Sequence, residues 1–300
     1  MSNIITRNAQ LDELPKLNAI WSTVFGDAGK DAFFRIFFDP NLCIVAEHNN
    51  TPVSMGYLVP FGNIVNENKS VPCAMIYAVA TLPKFRSMGY GAIVVNDLIS
   101  LAHTLDYPAV VLCPSDDSLF EYYSAKSKMQ DWFYTDEYIV SSFINNTLLK
   151  SNSNTLVNTP PLIELTINEY RTLREELLNG ITHIAHNLRT IEYQAELNKE
   201  YGGGFYRIGD ACATIELQSD NTVWVKELLI PDIEDNSTKI NGVNNALVAI
   251  AHSFPASEYV VRSPSKSGNG RRFGMLATSA DLINRTKPNK FDAWYGLAFD

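Results

Sequence analysis

Arg86-Ser87-Met88-Gly89-Tyr90-Gly91 is the stretch of this sequence best suited to hold an anion. The apolar run 74–80 ahead of it predicts a buried strand, which Pro83 ends. Behind it, Val94, Val95, Leu98, Ile99, Ala102 and Leu105 predict an amphipathic helix. A helix N-terminus offers free backbone N–H groups and a partial positive charge, both of which suit a phosphate. Gly89 and Gly91 remove side chains where the backbone must approach such a ligand, and Arg86 adds a permanent cation. The segment reads as a pyrophosphate cradle. The plainer alternative is a strand–turn–helix whose glycines only permit a tight turn.

A second chemical cluster is Ser118-Leu119-Phe120-Glu121-Tyr122-Tyr123-Ser124-Ala125-Lys126-Ser127. On a helix its two phenols stand about 100° apart. Ser118 either contacts a ligand or caps the helix after Asp116-Asp117. Glu121, Asp116 and Asp117 are the nearby carboxylates, in a setting where solvation or capping is the usual role. Trp21, Phe25, Phe33, Phe34, Phe37 and Phe38 either line an acceptor site or pack as core. His183 and His186, three apart on a predicted helix, lack a third metal ligand and read as a solvated pair. The basic stretch from Arg262 to Arg272, with Lys266, Gly268 and Gly270, reads as a mobile loop.

The elements that must position these residues follow from periodicity and turn signals. Residues 11–25 carry Leu14, Leu17, Ile20, Trp21 and Val24 at helical spacing and close at Gly26, and a short helix covers 31–38. Strands over 43–47 and 53–61 flank His48-Asn49-Asn50-Thr51, and Asn66-Glu67-Asn68-Lys69 turns into the 74–81 strand. With the apolar run 109–113, residues 74–113 make a strand–helix–strand crossover. A helix over 118–126 and a strand over 133–143 complete the first half. The polar run 145–161 is the expected linker. Beyond it come a helix over 168–178, a second segment over 181–198 and a hairpin turning at Gly209-Asp210 in type I′ geometry. A strand over 222–230, a helix over 240–254 and a strand at 259–261 then repeat the first half. Where that half has Arg86 and two glycines, this one has Asp232, Glu234, Asp235 and only Gly242, and the carboxylates would repel a pyrophosphate.

With 300 residues, 46% of them apolar and 19% charged, two soluble globular domains are expected. No apolar run reaches the roughly 18 residues of a membrane span, and the N-terminus lacks a secretory pattern. Cys43, Cys73, Cys113 and Cys212 sit apart in strand-like runs, as buried thiols of a reducing, cytoplasmic protein would. A net charge of −9 disfavours nucleic acid and fits a cationic amine.

The strand end Val79-Ala80-Thr81-Leu82-Pro83, the following Arg-x-x-Gly-x-Gly and the tyrosine segment together resemble the acetyl-CoA loop of the GNAT superfamily of N-acetyltransferases. The tandem halves and the ending Trp294-Tyr295-Gly296-Leu297-Ala298-Phe299-Asp300 resemble bacterial acetyltransferases of the enhanced-intracellular-survival type. Their longer members carry a further sterol-carrier-like domain, for which 300 residues leave too little chain. The resemblance implies an α/β (α+β) fold of two GNAT-like lobes. Each is a mixed, mostly antiparallel sheet with a central parallel strand–helix–strand unit, and the second lobe is degenerate. Residues 1–145 are the expected catalytic domain, 146–161 the linker and 162–300 the degenerate lobe.

By the same resemblance acetyl-CoA is the co-substrate and no metal is needed. Val79, Ala80 and Thr81 bind the pantetheine arm and thioester; Arg86, Ser87, Met88, Gly89, Tyr90 and Gly91 hold the pyrophosphate, with Ser118 nearby. Tyr123 aligns with the general acid toward the CoA thiolate, although Ser127-Lys128 stands where the family has Gly-Phe. Asp300 matches the terminal carboxylate thought to act as base. The implied reaction is direct attack of a primary amine in a ternary complex. Its acceptor is a polyamine-like or aminoglycoside-like small molecule or a peptide amine, with no nucleic-acid or membrane partner; a homo-oligomer stays open. The alternative is a non-catalytic CoA-binding or protein-interaction module. A third reading makes the second lobe a platform that shapes the acceptor pocket.

Overall fold

The computed structural model describes residues 4–66, 69–141, 160–231, 236–265, 270–278 and 293–300. The first half runs β1 (Ile5–Asn8), α1 (Leu14–Phe25), α2 (Lys30–Phe37), β2 (Cys43–His48), β3 (Thr51–Asn66), β4 (Lys69–Thr81), α3 (Tyr90–Thr104), β5 (Ala109–Leu112), α4 (Asp117–Ser127) and β6 (Gln130–Ser141). Local signals set several bounds. Pro15 opens α1 and Gly26, at φ 79°, closes it, while the Asp116 side chain accepts the Ser118 N–H to start α4. The second half runs β7 (Leu162–Glu164), α5 (Ile167–Leu177), β8 (His183–His186), α6 (Leu188–Glu200), β9 (Gly204–Ile208), β10 (Ala211–Leu217), β11 (Thr222–Leu229), α7 (Asn236–Ser253), β12 (Glu258–Pro264) and β13 (Arg271–Thr278). Most of the expected linker, and the acidic trio Asp232, Glu234 and Asp235, lie outside the described residues.

Two expectations are corrected here. The segment 181–198 is not one helix, because β8 is drawn into the sheet by pairing with the end of β3, Gly62↔His186 to Val65↔His183. His183 and His186 are therefore strand residues, and both are buried rather than solvated. His183 bonds the Ile181 carbonyl and Glu175, and His186 Nε2 accepts the Leu297 N–H. At the β9–β10 turn only Gly209 takes a positive φ, 59°, whereas a type I′ turn needs it at both central residues.

The described strands form one mixed sheet of thirteen, in the order β1-β2-β3-β4-β5-β13-β6-β12-β11-β10-β9-β7, with β8 beside β3. Two pairs are parallel, β4 with β5 and β11 with β12, so each half holds the predicted strand–helix–strand unit. The halves exchange strands at the centre. β13, from the end of the chain, lies between β5 and β6 of the first half, and β6 lies against β12 of the second. Neither half of the sheet is continuous without strands from the other.

Helices cover both faces. Leu17, Ile20, Trp21, Phe33 and Phe37 of α1 and α2 pack on one face of the first-half strands, and Val94, Val95, Leu98 and Ala102 of α3 pack on the other. The chain's last residues run back into this core, with Trp294, Tyr295, Leu297, Ala298 and Phe299 all buried. A buried polar group fixes them. Arg174 is fully buried and forks onto Glu227 at 3.0–3.2 Å, and Glu227 also accepts from Tyr170 and Trp294, each at 2.5 Å. Gly296, at φ 77°, passes so close that a Cβ there would sit 2.4 Å from Arg174 Nη2.

Candidate active site

The loop after β4 has the conformation an anion cradle needs. After a 3₁₀ turn at Pro83–Phe85, Ser87 and Gly89 take left-handed φ values of 64° and 91°, and α3 begins at Tyr90. The N–H groups of the first turn of α3 have no intrahelical acceptor and point out of the helix start. Arg86 is exposed above them, its Nε 3.3 Å from the Thr81 carbonyl. Tyr90 anchors the loop from beneath: it is buried, its hydroxyl 3.0 Å from His48 Nδ1 and its ring against Phe85.

From this loop the sheet opens. β4 and β5 pair only from Cys73↔Ala109 to Met75↔Val111, although β4 runs on to Thr81. On its other side β4 carries one extra residue against β3, between the pairs Tyr57↔Tyr77 and Met55↔Ala80. Ala78 takes a left-handed φ of 48° there, which is costly for a residue with a Cβ and marks a bulge. Beside the diverging strand ends lies a cavity of about 700 Å³, lined by Ile76–Val79 from β4, by Leu112 at the end of β5 and by Cys113 and Pro114 beyond it.

Both halves of the chain build the cavity wall. The first contributes Trp21, Phe25, Asp117 and Tyr123; the second contributes Trp224, Arg262, Phe273 and Asp300. Tyr123 is nearly buried, and desolvation pushes its phenol up to about 12, so it is a proton carrier at neutral pH. Asp300 also lines the cavity, its side chain 31% exposed. Its Oδ2 lies 2.5 Å from Arg262 Nη1 and its Oδ1 3.6 Å from Lys226 Nζ. Burial opposes ionisation of Asp300, but Lys226 and Arg262 outweigh it and hold the carboxyl well below the usual range.

The family model of the acetyltransferase (GNAT) domain matches residues 6–126. Residues 6–126 therefore carry a GNAT domain. A GCN5-related N-acetyltransferase from Kribbella flavida is similar over 92% of this chain and 72% of its own, with a TM-score of 0.64 at 14% identity. A GCN5-related N-acetyltransferase from Anabaena variabilis gives 0.63 at 13% identity, over 92% and 73%. Eis1 from Mycobacterium abscessus gives 0.60 at 10% identity, over 91% and 73%. These likenesses extend the GNAT fold across both halves. No curated protein matches the sequence.

Within this GNAT fold the expected residues separate by location. Val79 and Tyr123 line the cavity, as Asp300 does from the far end of the chain. Ala80 and Thr81 are back in register with β3, and both are engaged by Ser54. Arg86, Ser87, Met88 and Gly89 form the exposed loop ahead of α3, while the Gly91 Cβ position lies 3.5 Å from Thr81 Oγ1. Ser118 donates to Asp116 Oδ1 from both its N–H and its hydroxyl, so it belongs to the start of α4. Of the aromatic stretch, Trp21 and Phe25 reach the cavity, and Phe33 and Phe37 are core.

Ser127 is the last residue of α4. Lys128 takes the left-handed φ of 54° that ends α4, and Met129 is the buried residue after it. The basic stretch from Arg262 to Arg272 is also corrected. Arg262 lies in β12 and Arg271 and Arg272 in β13, while 266–269 fall outside the described residues. Arg262 is 3% exposed, and Nε meets Glu137 Oε2 at 2.7 Å. Sequence reading missed Arg262, Lys226 and Trp224. Only the Val-Trp-Val-Lys alternation, which puts two polar-capable side chains on one strand, hinted at them.

Proposed function

We propose that this GNAT protein transfers an acetyl group from acetyl-CoA to a primary amine in the cavity between its lobes. One observation carries the reading: the diverging ends of β4 and β5 lead from the glycine cradle into a cavity that holds both Tyr123 and Asp300. The residues present fit the cofactor. Left-handed Ser87 and Gly89 turn the chain so that the α3 N-terminus and Arg86 face one anion site. Beyond it, unpaired strand edge around the Ala78 bulge suits an extended pantetheine arm. When bound, acetyl-CoA supplies the activated thioester carbonyl.

The chain's own groups then divide the work. Asp300 draws the ammonium form of the acceptor into the cavity, and the aromatic walls exclude water around it. The reacting nitrogen first gives one proton to solvent; attack by the resulting neutral amine forms the C–N bond and breaks the C–S bond. Tyr123 gives its phenolic proton to the departing sulfur. With its pKa near 12 this donation is uphill toward a thiolate at rest and proceeds only as the C–S bond breaks. The amine loses its extra proton to solvent or to the phenolate that results.

Calorimetric titration with acetyl-CoA, beside Arg86→Ala, tests the cradle, and thiol release with a panel of primary amines tests transfer. Micromolar binding that weakens at least about tenfold in the variant is expected, since a charged contact to phosphate is worth about 1.5–3 kcal/mol. No binding to the wild type would sink the reading. Binding without thiol release from any amine would favour the CoA-binding module instead.

A further inference from the structure

The second half preserves both irregularities that open the slot in the first. β11 and β12 pair only from Thr222↔Glu258 to Val225↔Val261, yet run on to Leu229 and Pro264. β11 also carries one extra residue against β10, between the pairs Ile215↔Val225 and Thr214↔Glu227, and that residue is Lys226. The opening is small all the same. The cleft lined by Leu228, Leu229, Ile230, Ser263 and Pro264 measures about 120 Å³, against about 700 Å³ in the first half. What this second divergence presents instead is two cations, Lys226 at the bulge and Arg262 just past the last β11–β12 pair.

Both cations converge on one carboxylate. Arg262 Nη1 lies 2.5 Å from Asp300 Oδ2, and Lys226 Nζ lies 3.6 Å from Oδ1 and also donates to the Asp300 main-chain oxygen. Each cation is itself fixed. Glu137 of β6 holds Arg262 at 2.7 Å, and Glu216 of β10 holds Lys226 at 3.4 Å. The Trp224 ring packs against both, 4.6 Å from the Arg262 guanidinium and 4.8 Å from the Lys226 ammonium. Glu216 is held in turn by Gln194 at 2.9 Å, and Glu137 also meets Arg271 at 3.1 Å. The remaining titratable neighbours, Tyr77 of β4, Cys113 after β5 and Tyr295, are kept protonated by burial.

We propose that the second lobe's strand divergence is a positioning device. Lys226 and Arg262 hold the Asp300 carboxylate ionised and facing the first lobe's cavity, where it receives the acceptor's ammonium group. This rests on the acetyl-transfer reading above. It also assigns the acceptor to the class of primary amines that enter as cations, and it gives the non-cradle lobe a direct part in acceptor binding. The cations act through Asp300 and do not touch the thioester.

The test is thiol release from acetyl-CoA with spermidine, 1,5-diaminopentane, an aminoglycoside and a peptide with a free N-terminus. It compares wild type, Asp300→Asn, Arg262→Met and the double variant. Asp300→Asn should raise the amine KM by about tenfold or more, the loss of one charged contact, while the acetyl-CoA Kd stays within about twofold. Arg262→Met removes one of the two cations that hold the Asp300 carboxylate in place, so the amine KM should rise severalfold while the acetyl-CoA Kd stays within about twofold. The double variant should be no worse than Asp300→Asn. Additive losses in the double variant, or an acetyl-CoA Kd that weakens in parallel, would mean a structural role and overturn the proposal. Lys226→Met serves in the same cycle if Arg262→Met does not fold. Transfer with an unchanged amine KM in Asp300→Asn overturns the positioning role and leaves the transferase standing. A wild type that binds acetyl-CoA but acetylates none of the amines removes both.

Discussion

The rings of Tyr122 and Tyr123 stand 5.3 Å apart at 72°, so two consecutive phenols of α4 serve different parts of the site. Tyr123 lines the cavity, whereas the Tyr122 hydroxyl lies 3.7 Å from the Cβ position of Gly91, over the start of α3. Tyr123→Phe should therefore lower kcat by about 100-fold, the usual weight of a general acid, and leave acetyl-CoA affinity nearly unchanged. Tyr122→Phe should keep its kcat. Steady-state thiol release and calorimetry on both variants check the assignment, and equal kcat losses would refute it.

Gly89 and Gly91 should differ in their tolerance of a side chain. Gly89 sits at φ 91°, so a valine there must distort the loop, and acetyl-CoA binding should fall below detection by calorimetry. At Gly91 a Cβ would meet Thr81 Oγ1 at 3.5 Å and Tyr122 at 3.7 Å, which is ordinary contact. Gly91→Ala should bind within a few fold of wild type.

Glu227 neutralises a guanidinium that no water reaches. Glu227→Ala leaves buried Arg174 with only the partly exposed Glu175 as an ion partner and strips Tyr170 and Trp294 of their acceptor, so the loss should be about 3–5 kcal/mol. Denaturant unfolding measures it. A loss under about 1 kcal/mol would mean that the network is not formed.

Stability should fall on mild acidification through His186. Burial, with Arg174 adding to it, lowers the His186 pKa well below its ordinary value. The unfolded chain takes up this proton as pH drops through about 6.5, while the folded chain does not. The stability is therefore complete above that pH and declines below it, by up to about 1.4 kcal/mol per pH unit. Glu216 works the other way, since burial raises its pKa in the folded state. Comparison with His186→Gln isolates the histidine: the variant should show a shallower loss of Tm between pH 6.5 and 5.

Lys128 ends α4 in the left-handed region, where a Cβ costs about 1–2 kcal/mol. Lys128→Gly should raise stability by about 1 kcal/mol, read as a higher denaturation midpoint. No gain would show that the lysine's conformation is unstrained.

Local pattern was enough for the elements that carry their own signal. The helix of Leu17, Ile20 and Trp21, the glycine cradle and the parallel unit of β4 and β5 are visible because periodicity, caps and turn residues lie within one window of sequence. β8 was hidden because its hydrogen bonds run to β3, and a four-residue strand has no period of its own. Arg262 reads as a surface cation, since composition carries no trace of Glu137, Trp224 and Asp300 closing around it. Ala78 shows no glycine to announce its bulge. Only the packed sheet imposes it.

The exchanged strands also dictate when this protein can become whole. Ala109 of β5 pairs with Thr278 of β13, so the first lobe keeps an open edge until residue 278, about 170 residues later, has emerged. Vectorial folding, lobe by lobe on the ribosome, is therefore blocked: the early lobe must wait with raw sheet edge exposed, the kind of surface that invites wrong partners. Such long-range closure is slow for entropic reasons. Synthesis rate and chaperone supply should then govern the yield of native protein more than its final stability does.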